Sequence, residues 1–423
     1  MAAPVAAIIG AGQAGFQAAA SLRQEGFAGG VVLIGDEPVL PYQRPPLSKS
    51  YLAGETGVDD LWLRPTEFYA KQQIDLVYDD AVTEIDRTER RLQLTSGREI
   101  CWDHLVLATG ARYRPLVVPG AELEGVMPLR TLADTDTLRR QLEEAHEIVV
   151  VGAGFIGLEF ASVAIARGAA VHILEITPQP MGRVVSAQTS QFFADAHIRW
   201  GAKVSLGSGV TRIVGAHGRA TGVETTDGWH LPADLVLVSI GVIPNTELVG
   251  KTGLAVDNGI VVDEYLTTAD RSIFAIGDCA NFPTPFATGH VRLESVQNAV
   301  DQGRCVAAHI AGRPEPYQKV PWFWSDQGDL KLQIAGITTG HDTAVTRGHP
   351  ADGHFSIFCF RDKRLIGVES VNRPADHAIA RRLLAGDPAL SAEQAADVSY
   401  DLLAHVRRLP SSPRGLKAAP LGP

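Results

Sequence analysis

Two glycine clusters carry the first chemistry visible in the sequence: Gly10-Ala11-Gly12-Gln13-Ala14-Gly15 and Gly152-Ala153-Gly154-Phe155-Ile156-Gly157. A glycine-rich turn that opens a helix offers backbone N–H groups and the positive end of the helix dipole, and its missing side chains let an anionic group come close. Holding a diphosphate is the chemistry such a turn performs. Each cluster is followed by an acid near the end of the next apolar run: Glu37 lies 27 residues beyond Gly10, and Glu175 lies 23 beyond Gly152. A carboxylate at that spacing accepts hydrogen bonds from a ribose 2′-OH and repels a 2′-phosphate. Two dinucleotides lacking that phosphate are therefore expected. Asp36 is an alternative to Glu37, although strand alternation sends only one of the two inward. Ile176, Thr177 and Pro178 follow Glu175, so NADH is expected over NADPH, with Arg183 the nearest guanidinium.

The elements that must position these groups recur as well. Val5 to Ile9 is an apolar run, followed by the first glycine cluster, a helical stretch from Phe16 to Glu25 and a second run from Val31 to Ile34. That is a strand–helix–strand unit. It repeats as Ile148 to Val151, the second cluster, a helix from Leu158 to Ala166 and a strand from Ala170 to Leu174, with the glycines offset by 142 residues. Three further apolar runs end in glycine: Leu105 to Gly110, Leu235 to Gly241 and Ile273 to Gly277. Buried parallel strands have this texture, and ligands gather at their carboxyl ends. From Pro321 the chain turns aromatic and alternating, in Trp322-Phe323-Trp324, Lys331 to Ile334 and His354 to Phe360. The expected fold class is α/β: two Rossmann-like dinucleotide-binding domains plus a C-terminal α+β domain. From Leu409 the sequence is rich in Pro, Gly and Ser, and a mobile tail is expected.

Composition narrows the function classes. At 423 residues the chain exceeds what one core usually serves, so two or three domains are expected. A hydrophobic content of 45% with 20% charged residues excludes a disordered or fibrous protein. The net charge of −10 argues against nucleic-acid binding, which needs a basic face. Cys101, Cys279, Cys305 and Cys359 are far apart, with no CxxC pair, and the histidines show no HxxxH spacing, so neither a redox disulfide nor a metal site is expected. No basic leader or cleavage site precedes the first strand and no run is long enough to span a bilayer, which leads to the expectation of a cytoplasmic protein.

With these residues in view, the chain resembles the NADH-dependent reductases of 2Fe–2S ferredoxins, the putidaredoxin reductase and palustrisredoxin reductase group. The resemblance runs from Ile8 to about Leu403 and is carried by Pro41-Tyr-Gln-Arg-Pro-Pro-Leu-Ser-Lys49, Ala108-Thr109-Gly110, Gly277-Asp278-Cys279-Ala280, Arg292-Leu-Glu-Ser-Val-Gln-Asn298 and Pro321-Trp-Phe-Trp-Ser-Asp-Gln327. It implies an FAD domain made of residues 1–110 and 242–320, an NAD domain at 111–241 and a C-terminal interface domain at 321–408. It places Gly10, Gly12, Gly15, Glu37, Ala108, Thr109, Gly110 and Asp278 at FAD, with Arg44 near its phosphates and Pro46 and Lys49 near its ring. Gly152, Gly154, Phe155, Ile156, Gly157, Glu159, Glu175, Arg183 and Gly241 are implied at NAD. Lys49 would stabilise the charge arriving at flavin N5, and Glu159 would pair with Lys49 and hold the nicotinamide carboxamide. The helix starting near Val296 would aim its dipole at flavin N1 and C2=O, and Trp324, with Trp322, would edge the isoalloxazine.

The resemblance further implies hydride transfer from NADH to FAD, then single electrons to a 2Fe–2S ferredoxin serving a cytochrome P-450 monooxygenase. Leu47-Ser48-Lys49 stands where disulfide reductases and NADH peroxidases of related fold carry cysteine, so thiol chemistry at the flavin is not expected. Ferredoxins of this kind are acidic, and Arg64 and Arg304 match the family's ferredoxin-facing arginines, with Lys363, Arg364, Arg381 and Arg382 as further candidates. The chain is expected to act as a monomer or weak homodimer. Alternatives are a ring-hydroxylating dioxygenase system, an NADH oxidase or monodehydroascorbate reductase-like enzyme, and a non-enzymatic flavoprotein like apoptosis-inducing factor.

Overall fold

In the computed structural model, which describes residues 3–386 and 389–408, the chain groups into two compact units. The first comprises the chain up to Val117, Val126–Glu144 and Leu237–Gln318; the second comprises Val118–Gly125, Ala145–Val236 and the chain from Lys319. The tail expected from Leu409 lies outside the described residues.

The first unit is built on a five-stranded parallel sheet in the order Ile273–Ala275, His104–Leu107, Val5–Ile9, Gly30–Ile34, Ile74–Val77. Strands Val5–Ile9 and Gly30–Ile34 read as unbroken apolar runs because the sheet is buried: Ile8, Leu33, Leu107 and Phe274 are at most 1% exposed. Helices Gln13–Gln24 and Val296–Ile310 pack closely against each other. Gly303 makes that approach possible, since a Cβ there would stand 3.0 Å from the Ala14 carbonyl oxygen and the Ala18 nitrogen.

Residues 126–144 fall inside the segment expected to belong to the NAD domain, yet they group with the first unit. Hydrogen bonds supply the reason. Helix Leu132–Leu142 starts at Thr131, whose side chain forms a reciprocal capping box with Asp134. The Leu132 N–H donates to the Tyr42 hydroxyl (3.2 Å), and the Tyr51 hydroxyl donates to the Asp136 carboxylate (2.6 Å).

The second unit repeats the pattern. Lys203–Leu206, Ala170–Glu175, Glu147–Val151 and Leu235–Val238 are neighbours in a sheet, where Lys203–Leu206 and Glu147–Val151 each run parallel to Ala170–Glu175. The α+β character expected after Pro321 is present as a five-stranded antiparallel sheet in the order Trp322–Gln327, Leu330–Gly336, Arg364–Val371, His354–Arg361, Thr343–His349, with helix Pro374–Ala385 packed on it. Within this unit the C-terminal sheet is pinned to helix Ala187–Trp200 by the buried Glu369. Its carboxylate accepts the Ser186 N–H (2.7 Å) and hydroxyl (2.6 Å), placing a negative charge at the positive end of that helix. Among the described residues no helix is long and apolar enough to cross a membrane.

Candidate functional site: two glycine cradles

The two glycine clusters fold into the same turn. Gly10 takes φ +107° and donates its N–H to the Ile34 carbonyl (2.7 Å); Gly152 takes φ +101° and donates to the Leu174 carbonyl (2.7 Å). A side chain is strained at such a φ, and a Cβ on Gly10 would also collide with the Ala108 carbonyl oxygen. Both helices begin three residues earlier than the sequence reading placed them, at Gln13 and at Phe155, because Gly15 and Gly157 sit inside the first turn instead of ending the loop. Gly12 and Gly154 are the N-cap residues, and neither helix is capped by a side chain. Helices Leu132–Leu142, Ala187–Trp200 and Val296–Ile310 are each capped, by Thr131, Ser186 and Ser295. The two uncapped N-termini keep amides for an anion.

The first cradle fits FAD on a further observation: a Cβ built on Gly12 meets nothing within 4 Å, so the turn opens onto free space at the helix end. Glu37 is the inward acid, while Asp36 is exposed. One Glu37 oxygen accepts the Tyr42 hydroxyl and the other meets the Arg44 guanidinium, both at 2.7 Å. Arg44 also donates to the Arg130 carbonyl (2.7 Å), so this arginine is spanned between Glu37 and the 126–144 segment. Burial pushes the Tyr42 phenol well above its ordinary value, keeping it a neutral donor to Glu37.

Asp278 lies in a short turn, Gly277–Cys279, after strand Ile273–Ala275. Its carboxylate pairs with Arg130 at 2.9 Å. Arg130 was missed in the sequence. The Thr131–Asp134 capping box could have fixed the helix start beside it, but no spacing rule reaches across 148 residues. Ala108, Thr109 and Gly110 follow strand His104–Leu107, where the Thr109 hydroxyl donates to the Asn245 carbonyl (2.6 Å) and the Asn245 amide donates back (2.8 Å). Gly241 belongs to the first unit. It precedes strand Val242–Pro244, which pairs with Ala111–Tyr113.

Pro46 lies in the turn Pro45–Ser48, and Lys49 follows it, half-buried, with its ammonium 3.3 Å from the Pro45 carbonyl. Val296 opens its helix as expected, although Ser295 already accepts the Asn298 N–H (3.1 Å) there. Arg64 and Arg304 are exposed; Arg64 lies over the rings of Phe16 and Phe68, at 6.0 and 5.7 Å, and Arg304 stands 3.5 Å from Asp301.

In the second unit Glu175 ends its strand and is held on both oxygens. One accepts the Ala153 N–H of the glycine loop (2.8 Å); the other accepts the Thr177 N–H (2.9 Å) and hydroxyl (2.8 Å). Arg183 is exposed, and its carbonyl accepts the Thr339 hydroxyl. The Phe155 ring lies 4.5 Å from Phe323. Glu159, 3% exposed, accepts the Ser325 hydroxyl at 2.6 Å. The Trp322 and Trp324 rings lie 5.6 Å apart, tilted by 34°, with the Arg381 guanidinium 4.8 Å over Trp322. Lys49 lies in the first unit and Glu159 in the second.

None of the four cysteines forms a disulfide, and burial raises the Cys279 and Cys359 thiols, which makes both poor nucleophiles. Among the described residues no group of histidine, cysteine and acidic side chains could hold a metal.

Comparison with known proteins matches two family models: pyridine nucleotide-disulphide oxidoreductase over residues 5–303 and reductase C-terminal over residues 322–406. The chain is 52% identical over 401 residues to rhodocoxin reductase of Rhodococcus erythropolis, covering 95% of this chain and 94% of the relative. Among solved structures it is similar to the ferredoxin reductase for the CYP199A2 system from Rhodopseudomonas palustris, with a TM-score of 0.94 and 49% identity over 95% of this chain and 100% of that one. It is also similar to the putidaredoxin reductase–putidaredoxin covalent complex, with a TM-score of 0.93 and 38% identity over 96% of this chain and 99% of that one.

Proposed function

The chain belongs to the pyridine nucleotide-disulphide oxidoreductase family, as one of its FAD- and NAD(P)H-dependent ferredoxin reductases, and from that premise we propose that it takes its electrons from NADH and supplies the 2Fe–2S ferredoxin of a cytochrome P-450 monooxygenase. The observation that carries the choice of NADH is Glu175. Its carboxylate is fixed at the strand end by Ala153 and Thr177, where a 2′-phosphate would meet a negative charge and a ribose 2′-OH would find an acceptor. The P-450 system is supported by the likeness to the Rhodopseudomonas palustris protein, the ferredoxin reductase for the CYP199A2 system.

Bound FAD supplies the conversion of a hydride pair into single electrons, which no side chain of this protein provides. The chain's part is to bind and orient. The uncapped amides at Gly12 and Gly154 would hold the two diphosphates, and the Arg130–Asp278 pair would hold the region where the flavin's ribityl chain runs. Lys49 would place its ammonium near flavin N5, Pro46 beside the ring and the Val296 helix start near C2=O. Glu159 would accept a hydrogen bond from the nicotinamide carboxamide, Trp324 would border the flavin, and Arg64 and Arg304 would meet the acidic ferredoxin. We assign the first unit, with its 126–144 segment, to FAD, residues 118–125 and 145–236 of the second unit to NAD, and 321–408 to the C-terminal domain.

The test is reconstitution. The purified protein, NADH, a 2Fe–2S ferredoxin and its P-450 are combined, and product formation is compared with NADPH as donor and with a dioxygenase-type ferredoxin. NADH-driven P-450 turnover supports the proposal. Turnover only with the dioxygenase partner, or equal rates with NADPH, contradicts it.

A further inference from the structure

Behind Glu159 the second unit contains a line of side chains whose hydrogen-bond direction can be deduced. Gln327 Nε2 lies 3.7 Å from the Met181 sulfur and 3.2 Å from Ser325 Oγ, while Gln327 Oε1 lies 3.0 Å from His197 Nε2. A thioether sulfur can only accept, so the amide NH2 faces Met181 and Ser325, and Oε1 faces His197. His197 must then donate from Nε2. Its buried Nδ1 has no partner among the described residues, as expected of the acceptor nitrogen of a neutral ring, and burial lowers its proton affinity in the same direction. Ser325 Oγ, having accepted from Gln327, has a single proton left to give, and it lies 2.6 Å from Glu159 Oε1.

Every donor in the line His197, Gln327, Ser325 therefore points toward the Glu159 carboxylate. All three side chains are 0% exposed. Aligned bonds in a dry interior polarise one another, and together they stabilise negative charge at the end they point to. Glu159 is the only ionisable residue of helix Phe155–Ala166. On the packed strand Trp322–Gln327 the other ionisable residue, Asp326, alternates away from Ser325. On helix Ala187–Trp200, Asp195 and Arg199 are exposed, which leaves His197 as the inward one.

We propose that Ser325 is a positioning residue for Glu159, donating to its carboxylate form and holding it in one orientation through a donor line anchored at Gln327 and His197. This rests on the reading that Glu159 receives the nicotinamide carboxamide.

The test uses the FAD-loaded protein and its Ser325→Ala, Gln327→Leu and Glu159→Gln variants. One readout is the infrared carbonyl band of a protonated carboxyl, titrated against pH and assigned to Glu159 by its loss when Glu159→Gln is added. The other is NAD+ affinity by calorimetry at neutral pH. Ser325→Ala is expected to raise the protonation midpoint by about one to two pH units and to weaken NAD+ binding about tenfold. Gln327→Leu, which leaves the serine in place, is expected to give a smaller shift in the same direction, and it decides the matter if Ser325→Ala loses FAD. An unmoved midpoint overturns the proposal even where Glu159→Gln weakens NAD+ binding. Where Glu159→Gln leaves NAD+ affinity unchanged, the reading of Glu159 itself fails, and the midpoint alone then decides whether Ser325 governs the carboxylate.

Discussion

The Arg130 guanidinium lies 2.9 Å from the Asp278 carboxylate, joining a segment that precedes the second glycine cradle to the strand end that closes the first. Arg130 also donates from Nε to the Ala111 carbonyl (2.9 Å). With side chains only 18% and 19% exposed, the pair is partly desolvated and positions Asp278 more firmly than a surface pair would. Replacing Arg130 with leucine is expected to cost about 1–2 kcal/mol of stability and to lower the FAD content of the purified protein. Thermal melting and the flavin-to-protein absorbance ratio measure both effects. Full flavin occupancy in Arg130→Leu would contradict the role given to this pair.

Gly12 separates folding from cofactor binding. Its φ of −75° suits any residue, and a Cβ there meets no protein atom within 4 Å. Gly12→Ala is therefore expected to change stability by no more than about 0.5 kcal/mol while weakening FAD binding at least about tenfold, because the methyl group points where the diphosphate would lie. The apoprotein's melting temperature and its FAD dissociation constant provide the comparison.

Glu175→Gln keeps the size of the side chain and removes the charge that opposes a 2′-phosphate. The ratio of kcat/KM for NADH over NADPH is expected to fall about tenfold, equivalent to about 1.4 kcal/mol. An unchanged ratio would remove Glu175 as the determinant of cofactor choice.

His377 gives a pH dependence to the C-terminal part of the second unit. It is 5% exposed beside Trp322, neither ring nitrogen has a hydrogen-bond partner among the described residues, and burial, with Arg381 adding to it, lowers its pKa to about 4. The folded protein thus binds this proton less readily than the unfolded chain, whose histidine titrates near 6.5. Its contribution to stability is complete above about pH 6.5 and is lost as the pH falls toward 4. His377→Leu is expected to lose less melting temperature between pH 7 and pH 5 than the parent protein, measured by calorimetry at both values.

What could be read from the sequence was what is encoded locally. The glycine turns, the apolar strands that flank them and the acid after each are determined by residues within about 30 positions of one another, in line with steric and hydrogen-bonding rules of that range. Strand Val5–Ile9 was located to the residue. The helices start at Gln13 and Phe155, three residues before the sequence expectation, because the last glycine of each cluster lies inside the first turn, which at Gly15 is too crowded for a Cβ. Contacts made across long separations left no such trace. Arg130 finds Asp278 across 148 residues, and Ser325 finds Glu159 across 166. Nothing in the spacing of either pair shows it, since the sheets bring the partners together only after folding.

The central claim, that this chain carries electrons from NADH through FAD to a ferredoxin, is tested most directly by anaerobic stopped-flow mixing in two stages. NADH is expected to bleach the flavin absorbance, and subsequent mixing with an oxidised 2Fe–2S ferredoxin is expected to return the yellow colour while the ferredoxin's visible absorbance falls, two molecules of ferredoxin being reduced for each NADH consumed. A flavin that stays reduced until air is admitted, with every ferredoxin offered remaining oxidised, would contradict it.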